Sequence, residues 1–375
     1  MNGERTPLYT QIYSFLRDQM ESGKWQEGFK LPSENQLCRK FDVSRITVRG
    51  AMTQLVEEGF IYRIQGRGSF VAGKDKTKEP VRYAPRSAQL QQAESSLPLI
   101  AVIVPRLSGL LITGIISGLN EGLAFSSYRI LLLLSDGVLE KEDEMLREAL
   151  ALGAQGIVVY PTEGRVYNET MLRLSLDRFP IVVIDRYLSG VPTNCVCSDH
   201  YSGAYEATEH LLQLGHRNIA FVTTPFGDTT SSIEERLGGY RQAMNDYSVV
   251  IERSFIQVLS ADEELRAFLD QHREMTALFA INEQLGLRLI KAADDTERVV
   301  PDDLSVVFFD DYAHSEFARI PPTCVTQDGE QIGRDTAALL LELLEQPEHE
   351  RERKLIRVPT RLKIRQSTKA RQQPI

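Results

Sequence analysis

From Leu99 onward, short unbroken apolar runs alternate with amphipathic stretches. The runs are LIAVIV (99–104), RILLLL (129–134), GIVVY (156–160), IVVID (181–185), NIAFVT (218–223), TALFAIN (276–282) and LSVVFFDD (304–311). Runs of this length without polar alternation are the pattern of strands covered on both faces. Between them, residues 140–152, 200–215, 233–247 and 283–293 carry helical spacing. Strand–helix alternation predicts parallel α/β sheets, and seven runs exceed what one small sheet holds, so two lobes are expected.

The first 71 residues are patterned differently. Ser33 and Gln36 have the spacing of a capping box at a helix start, with Leu37 and Phe41 on its inward face. A second helix is predicted from Ser44, where Val48, Ala51 and Leu55 form a buried stripe and Arg45 and Arg49 lie one turn apart on another face. Ile12, Phe15, Leu16 and Met20 supply a third helix. Phe60–Ile64 and Ser69–Val71 read as two strands joined through Gln65, Gly66, Arg67 and Gly68, a tip whose glycines permit close backbone approach. Helix, tight turn, helix and Gly-tipped hairpin suit duplex DNA: the Arg pair can fork onto guanine edges or clamp phosphate, and Arg67 can lead into a minor groove. The alternative is a solvated Arg pair and an ordinary hairpin.

Charge divides the chain in the same place. The net charge is −9, yet residues 1–73 carry +2, residues 74–98 carry +2 and the remainder −13. An acidic body behind a mildly basic head fits a protein that touches nucleic acid at one end only. Residues 74–97, with mixed Lys and acid, Pro80, Pro85 and a Gln-rich stretch, lack apolar periodicity and are expected to form a linker. No charged and apolar leader opens the chain and no run approaches the roughly 18 apolar residues of a membrane span, so a cytoplasmic location is expected. Cys38, Cys195, Cys197 and Cys324 have no paired metal spacing, and reduced packed thiols are expected; neither His210 nor His216 belongs to an HExxH site. No metal or cofactor is implied.

In doubly wound sheets ligands bind beyond the carboxyl ends of strands. The residues there are polar: Arg106, Asp185 with Arg186, Asn282 with Glu283, and Asp310 with Asp311. Carboxylates, an amide and forked donors converging on a cleft match the hydroxyls of a sugar. The alternative for Asp185 and Asp310 is helix capping.

Two family resemblances sharpen these expectations. LPSE at 31–34, Leu37, Phe41, Val43, Ser44-Arg45-x-Thr47-Val48-Arg49, Leu55, Gly59 and Gln65-Gly66-Arg67-Gly68-Ser69-Phe70-Val71 resemble the winged helix-turn-helix of the GntR family. That resemblance implies DNA contacts from Ser33, Asn35, Arg45, Thr47, Arg49, Gly66, Arg67 and Gly68. Asn35 stands where several relatives carry Arg, and asparagine prefers adenine edges. Downstream, Asp185-Arg186, Asp199, His210-Leu211-Leu212, Leu214-Gly215-His216, Arg236 with Gly239-Tyr240, Ala280-x-Asn282, Pro301-x-Asp303-x-Ser305-Val306, Phe309-Asp310-Asp311 and Pro322-x-x-x-Val325-x-Gln327 resemble the LacI/GalR effector-binding domain. Phe308-Phe309 and Phe226 depart from that family's usual residues.

The second resemblance implies a two-lobed, periplasmic-binding-protein-like body with crossings near Cys197–Asp199 and Cys324–Asp328. It implies a pocket of Arg106, Asp185, Arg186, Arg236, Asn282, Asp310 and Gln327. The fold expected is therefore α/β: a small α+β winged helix-turn-helix domain at 1–73, a linker at 74–97 and an effector-binding and dimerisation domain at 98–368. Together they imply a non-enzymatic, homodimeric transcriptional repressor, bound to inverted-repeat operator DNA and released by a small-molecule effector, with a sugar first and a non-sugar second. A sugar-modifying α/β enzyme would need a GxSxG elbow, a Walker loop or a GxGxxG turn, and the sequence contains none. A transport-linked binding protein would have a leader and no head.

Overall fold

The computed structural model describes residues 8–71 and 97–371, apart from 27, 42, 44, 59, 65–67, 165 and 226–229. The chain divides into two compact units, Met1–Ser96 and Leu97–Ile375, and the division falls inside the predicted linker. All but one residue of that linker lies outside the described residues.

In the first unit α1 (Leu8–Glu21), α2 (Glu34–Phe41) and α3 (Arg45–Glu57) precede a hairpin of β1 (Ile61–Ile64) and β2 (Gly68–Val71). The helices close on Ile12, Leu16, Leu37, Val48, Ala51 and Leu55, all fully buried. The capping box at α2 is reciprocal: the Ser33 amide donates to Gln36 Oε1 at 2.8 Å and the Gln36 amide to Ser33 Oγ at 3.4 Å. The antiparallel hairpin pairs Ile61 with Val71 and Ile64 with Gly68. A short extended piece not foreseen from the sequence adds to it: Lys30 bridges Phe70, and the Leu31 amide donates to the Ser69 carbonyl at 2.8 Å.

The second unit has two lobes. The first contains β3 (Leu99–Val104), α4 (Leu110–Gly122), β4 (Arg129–Leu134), α5 (Leu139–Ala151), β5 (Ala154–Val159), α6 (Glu169–Leu176), β6 (Ile181–Ile184) and β7 (Asn194–Ser198). The second contains α7 (His200–Gln213), β8 (Ile219–Thr223), α8 (Ser231–Asp246), β9 (Ile256–Val258), α9 (Asp262–Gln271), β10 (Ala277–Ala280), α10 (Glu283–Asp295), β11 (Ser305–Phe309) and β12 (Thr323–Thr326). The chain then returns to the first lobe as α11 (Gly329–Glu345) and β13 (Leu355–Val358), and ends in the second with β14 (Arg361–Lys363).

The sheets are ordered β13-β7-β6-β5-β3-β4 and β14-β12-β11-β10-β8-β9. The first is parallel throughout, and in the second only β14 runs antiparallel. All seven apolar runs are strands, and β3, β6, β8, β10 and β11 are almost wholly buried because helices cover both faces.

The lobes are joined by three crossings, at 198–200, 326–329 and 358–361, where two were expected. The third was illegible because β13 and β14 are short, half-exposed and charged, LIRV and RLK, without the continuous apolar signal of the inner strands. After the second crossing α11 packs tightly on α4. A Cβ on Gly118 would collide with the Glu330 carbonyl, and one on Gly333 with the Ile115 carbonyl, so only glycine permits this approach.

No described helix is long and apolar enough to cross a membrane. All four cysteines are free. His216 is a packing residue, with Nδ1 2.9 Å from the Thr276 hydroxyl and Nε2 3.0 Å from the Lys369 carbonyl.

Candidate functional site

The inner strands of the two lobes end alike. Asp185 follows β6 with φ 68° and Asp310 follows β11 with φ 72°, both in the left-handed region that non-glycine residues rarely occupy. Such a conformation costs on the order of 1–3 kcal/mol and persists where the surroundings fix it. In each case the neighbouring strand does so: the Asp185 amide donates to the Val196 carbonyl at 3.1 Å, and the Asp310 amide to the Val325 carbonyl at 2.9 Å. Neither aspartate caps a helix. The cap is Asn282, whose Oδ1 accepts the Leu285 amide at 2.9 Å and starts α10.

A chain of contacts runs from one lobe into the other. Arg186 donates through Nε to Asp185 Oδ2 at 3.3 Å and through Nη2 to the Tyr160 hydroxyl at 2.9 Å, while its Nη1 lies 3.2 Å from the Glu163 carboxylate. His200, the first residue of α7, has Nε2 2.9 Å from the Asp185 carbonyl oxygen. A carbonyl only accepts, so the proton sits on Nε2 and leaves Nδ1 to accept from Arg236 Nε at 3.4 Å. Arg236, from α8, donates to the Ile281 carbonyl at 2.6 Å, and its guanidinium lies 3.8 Å from the centre of the Phe309 ring. Gln327, at the second crossing, donates from its amide nitrogen to Asp310.

Burial and charge set the protonation states. Burial alone would raise the Asp185 carboxyl, but the charge of Arg186 and, behind it, Arg236 outweigh it and hold the group below its ordinary value. Burial drives His200 down to about 4, helped by Arg236, so the imidazole is neutral at pH 7. Burial, with the nearby charge of Asp310, pushes Glu283 up to about 7, and burial raises Asp310 itself. Buried oxygens at strand ends or crossings without a hydrogen-bond partner among the described residues include Asp185 Oδ1, Ser198 Oγ, Thr223 Oγ1 and Gln327 Oε1.

Five of the seven expected pocket residues, Asp185, Arg186, Arg236, Asp310 and Gln327, therefore belong to hydrogen-bonded groups at the carboxyl ends of the strands. Asn282 sits beside Ile281 and Glu283 at the same end, its Oδ1 committed to the cap. Arg106 is exposed, and its noted electrostatic neighbour is Asp136 rather than these groups. His200 and Tyr160 were not picked out from the sequence. Tyr160 directly follows β5 and obeys the strand-end rule used for the others; His200 follows an Asp199 cap, a signal of a helix start that carries no hint of its partners. Phe226 lies outside the described residues.

In the head, Asn35 lies in α2, and Arg45, Thr47 and Arg49 lie in α3, which the Val48, Ala51, Met52 and Leu55 stripe anchors to the core. Ser33 precedes α2 and Gly68 opens β2, whereas Ser44, Gly66 and Arg67 are outside the described residues.

A winged helix-turn-helix head and a body of two sheets joined by three crossings define a ligand-binding regulator architecture. Residues 8–71 match the family model described as bacterial regulatory proteins, gntR family, and residues 208–368 match the periplasmic binding protein-like domain. The arabinose metabolism transcriptional repressor of Halalkalibacterium halodurans is 30% identical, covering 95% of this chain and 96% of its own length. The protein of the same description from Geobacillus stearothermophilus is 29% identical over 98% of this chain and all of its own length. The crystal structure of the transcription regulator CcpA of Lactococcus lactis has a similar fold, with a TM-score of 0.65 at 20% identity, covering 73% of this chain and all of that one. The chain belongs to the family of transcriptional repressors that join a gntR-type head to a LacI-type, periplasmic-binding-protein-like body.

Proposed function

We propose that this repressor binds an inverted-repeat operator as a homodimer in the cytoplasm and is released when an uncharged sugar occupies the cleft between its lobes. The head would read DNA through Arg45 and Arg49 of α3, with Ser33, Asn35, Thr47 and the wing residues Gly66, Arg67 and Gly68 fixing its position. Arabinose is the first candidate effector, because the relatives that cover the whole chain are described as repressors of arabinose metabolism.

The observation that carries the sugar reading is the pair of left-handed aspartates, one per lobe, at equivalent strand ends. Arg236 is committed to protein partners, whereas Asp185 Oδ1 and Gln327 Oε1 make no hydrogen bond, and neither does Arg186 Nη1, which lies 3.2 Å from the Glu163 carboxylate. The cleft thus offers carboxylate and amide acceptors beside one guanidinium donor, a set that suits hydroxyls, which both donate and accept; a phosphorylated sugar would meet the carboxyl groups of Asp185, Glu163, Glu283 and Asp310. Asn282 and Arg106 complete the set assigned to the effector. The cleft is read as a binding site rather than a catalytic one.

Calorimetry tests this. Arabinose should bind the wild type, and Asp310→Ala should bind it about 10–100-fold more weakly, the equivalent of roughly 1.5–3 kcal/mol for a hydrogen bond to a charged group. Wild-type affinity in Asp310→Ala, or preference for a sugar phosphate over the neutral sugar, would overturn the reading.

A further inference from the structure

At the amino ends of β6 and β7, the opposite end of the first lobe's sheet from Asp185, lies a shallow surface groove. Its walls include Ser175, Arg178, Thr193, Asn194, Arg351 and Arg353, and no carboxylate lines it. The described hydrogen bonds of the three arginines all go to backbone carbonyls. Arg178 Nη1 reaches His349 O at 3.1 Å, Arg351 Nη1 reaches Arg178 O at 2.7 Å, and Arg353 Nη2 reaches Ser175 O at 2.8 Å. These bonds hold the forks in place without neutralising them. A guanidinium has five N–H donors, so each retains others for a ligand. The carboxylates of the same segment, Glu348, Glu350 and Glu352, are exposed and stand outside the lining.

A second observation points to a ligand. The Ser175 hydroxyl is buried without a hydrogen-bond partner, in a residue only 4% exposed, and the Thr193 hydroxyl is buried and unpartnered too. Two hydroxyl donors among three cationic forks, with no competing anion, match a tetrahedral oxyanion.

We propose that this groove binds a phosphate group. A backbone phosphate of DNA and the phosphate of a free metabolite share this chemistry.

The test uses the full chain and the double variant Arg351→Gln/Arg353→Gln, with Ser175→Ala/Thr193→Val as a second variant that leaves the carbonyl-holding arginines in place. In one arm, fluorescence anisotropy follows binding to a 40-base-pair operator duplex over a range of salt. In the other, calorimetry follows inorganic phosphate, with sodium chloride at matched ionic strength as the control. If the phosphate comes from DNA, operator affinity at about 150 mM salt should fall about tenfold in the arginine variant. The slope of log affinity against log salt should also become shallower by about one for one lost phosphate. If the source is a free phosphate, wild type should bind inorganic phosphate saturably and both variants at least tenfold more weakly, with DNA binding unchanged. Folded variants that match the wild type in both arms would overturn the proposal. Should the arginine variant fail to fold, the hydroxyl variant decides alone in the same way.

Discussion

The Tyr187 hydroxyl donates to Glu235 at 2.9 Å, tying a residue just past β6 in the first lobe to α8 in the second. Arg357 of β13, beside the third crossing, pairs with the same carboxylate at 2.8 Å. The Ser231 hydroxyl accepts the Tyr187 amide at 2.9 Å and donates to its carbonyl at 3.0 Å. Burial and Glu235 push the Tyr187 phenol up to about 12, so it stays a donor at physiological pH. These ties engage α8, the helix that also carries Arg236, and they hold the lobes together without help from a ligand.

Loosening the ties should tax effector binding. If the arrangement they favour is the binding-competent one, Glu235→Ala lowers its population and raises the apparent dissociation constant by the inverse of that fraction. A weakening of about 3–10-fold in effector affinity, with the head's intrinsic DNA affinity unchanged, is the expected result by calorimetry and gel shift. An effector affinity equal to the wild type's would show that the Tyr187–Glu235 tie does not favour the binding arrangement.

His200 and Glu283 should leave opposite marks on stability against pH. His200 is depressed to about 4 in the fold, so between its unfolded value of about 6.5 and 4 the unfolded chain binds the extra proton and stability is lost as pH falls. Glu283 is raised to about 7, so the folded protein keeps a proton that the unfolded chain releases, and stability declines as pH rises from about 4.5 to 7. Melting temperatures across pH 4 to 8 should therefore show a flatter acid limb in His200→Gln and a flatter limb between 4.5 and 7 in Glu283→Gln. Parallel curves for wild type and variant would contradict the assigned burial of the corresponding group.

In the head, Arg49→Ala should cost about 1–3 kcal/mol of operator binding and relax base preference if Arg49 forks onto guanine, whereas Arg67→Ala should lower affinity evenly across sequences. Anisotropy with matched and mutated operators separates the two. Near wild-type operator binding by the folded Arg45→Ala/Arg49→Ala protein would count against α3 as the reading helix.

How far the sequence could lead depended on burial. Strands β3, β5, β6, β8, β10 and β11 announce themselves as apolar runs because both their faces are covered, whereas β4 gives the same signal in RILLLL although it is a half-exposed edge strand. Edge strands β9, β13 and β14 are only partly covered and carry Gln, Arg or Lys, which erased that signal and, with it, the third crossing. The strand-end rule found Asp185, Arg186, Asn282 and Asp310, because a change from apolar to polar at the carboxyl end of a strand is written in the chain. Partnership is not written there. That His200 lies between Asp185 and Arg236 depends on a crossing that brings α7 against β6. The wing's extra extended piece at Lys30 was likewise hidden, since its pairing with Phe70 joins residues distant in sequence.

In the proposed function, one ligand held by Asp310 and Asp185 across the two lobes controls DNA binding by the head. Operator affinity measured with and without saturating arabinose, in wild type and in Asp310→Ala, tests it most directly. Wild type should lose at least fivefold to 150-fold in affinity on adding the sugar, the equivalent of about 1–3 kcal/mol of coupling. Asp310→Ala should bind the operator as tightly as the sugar-free wild type whether or not the sugar is present. An Asp310→Ala protein that the sugar still releases as fully as the wild type would contradict the claim, whatever else about the fold held.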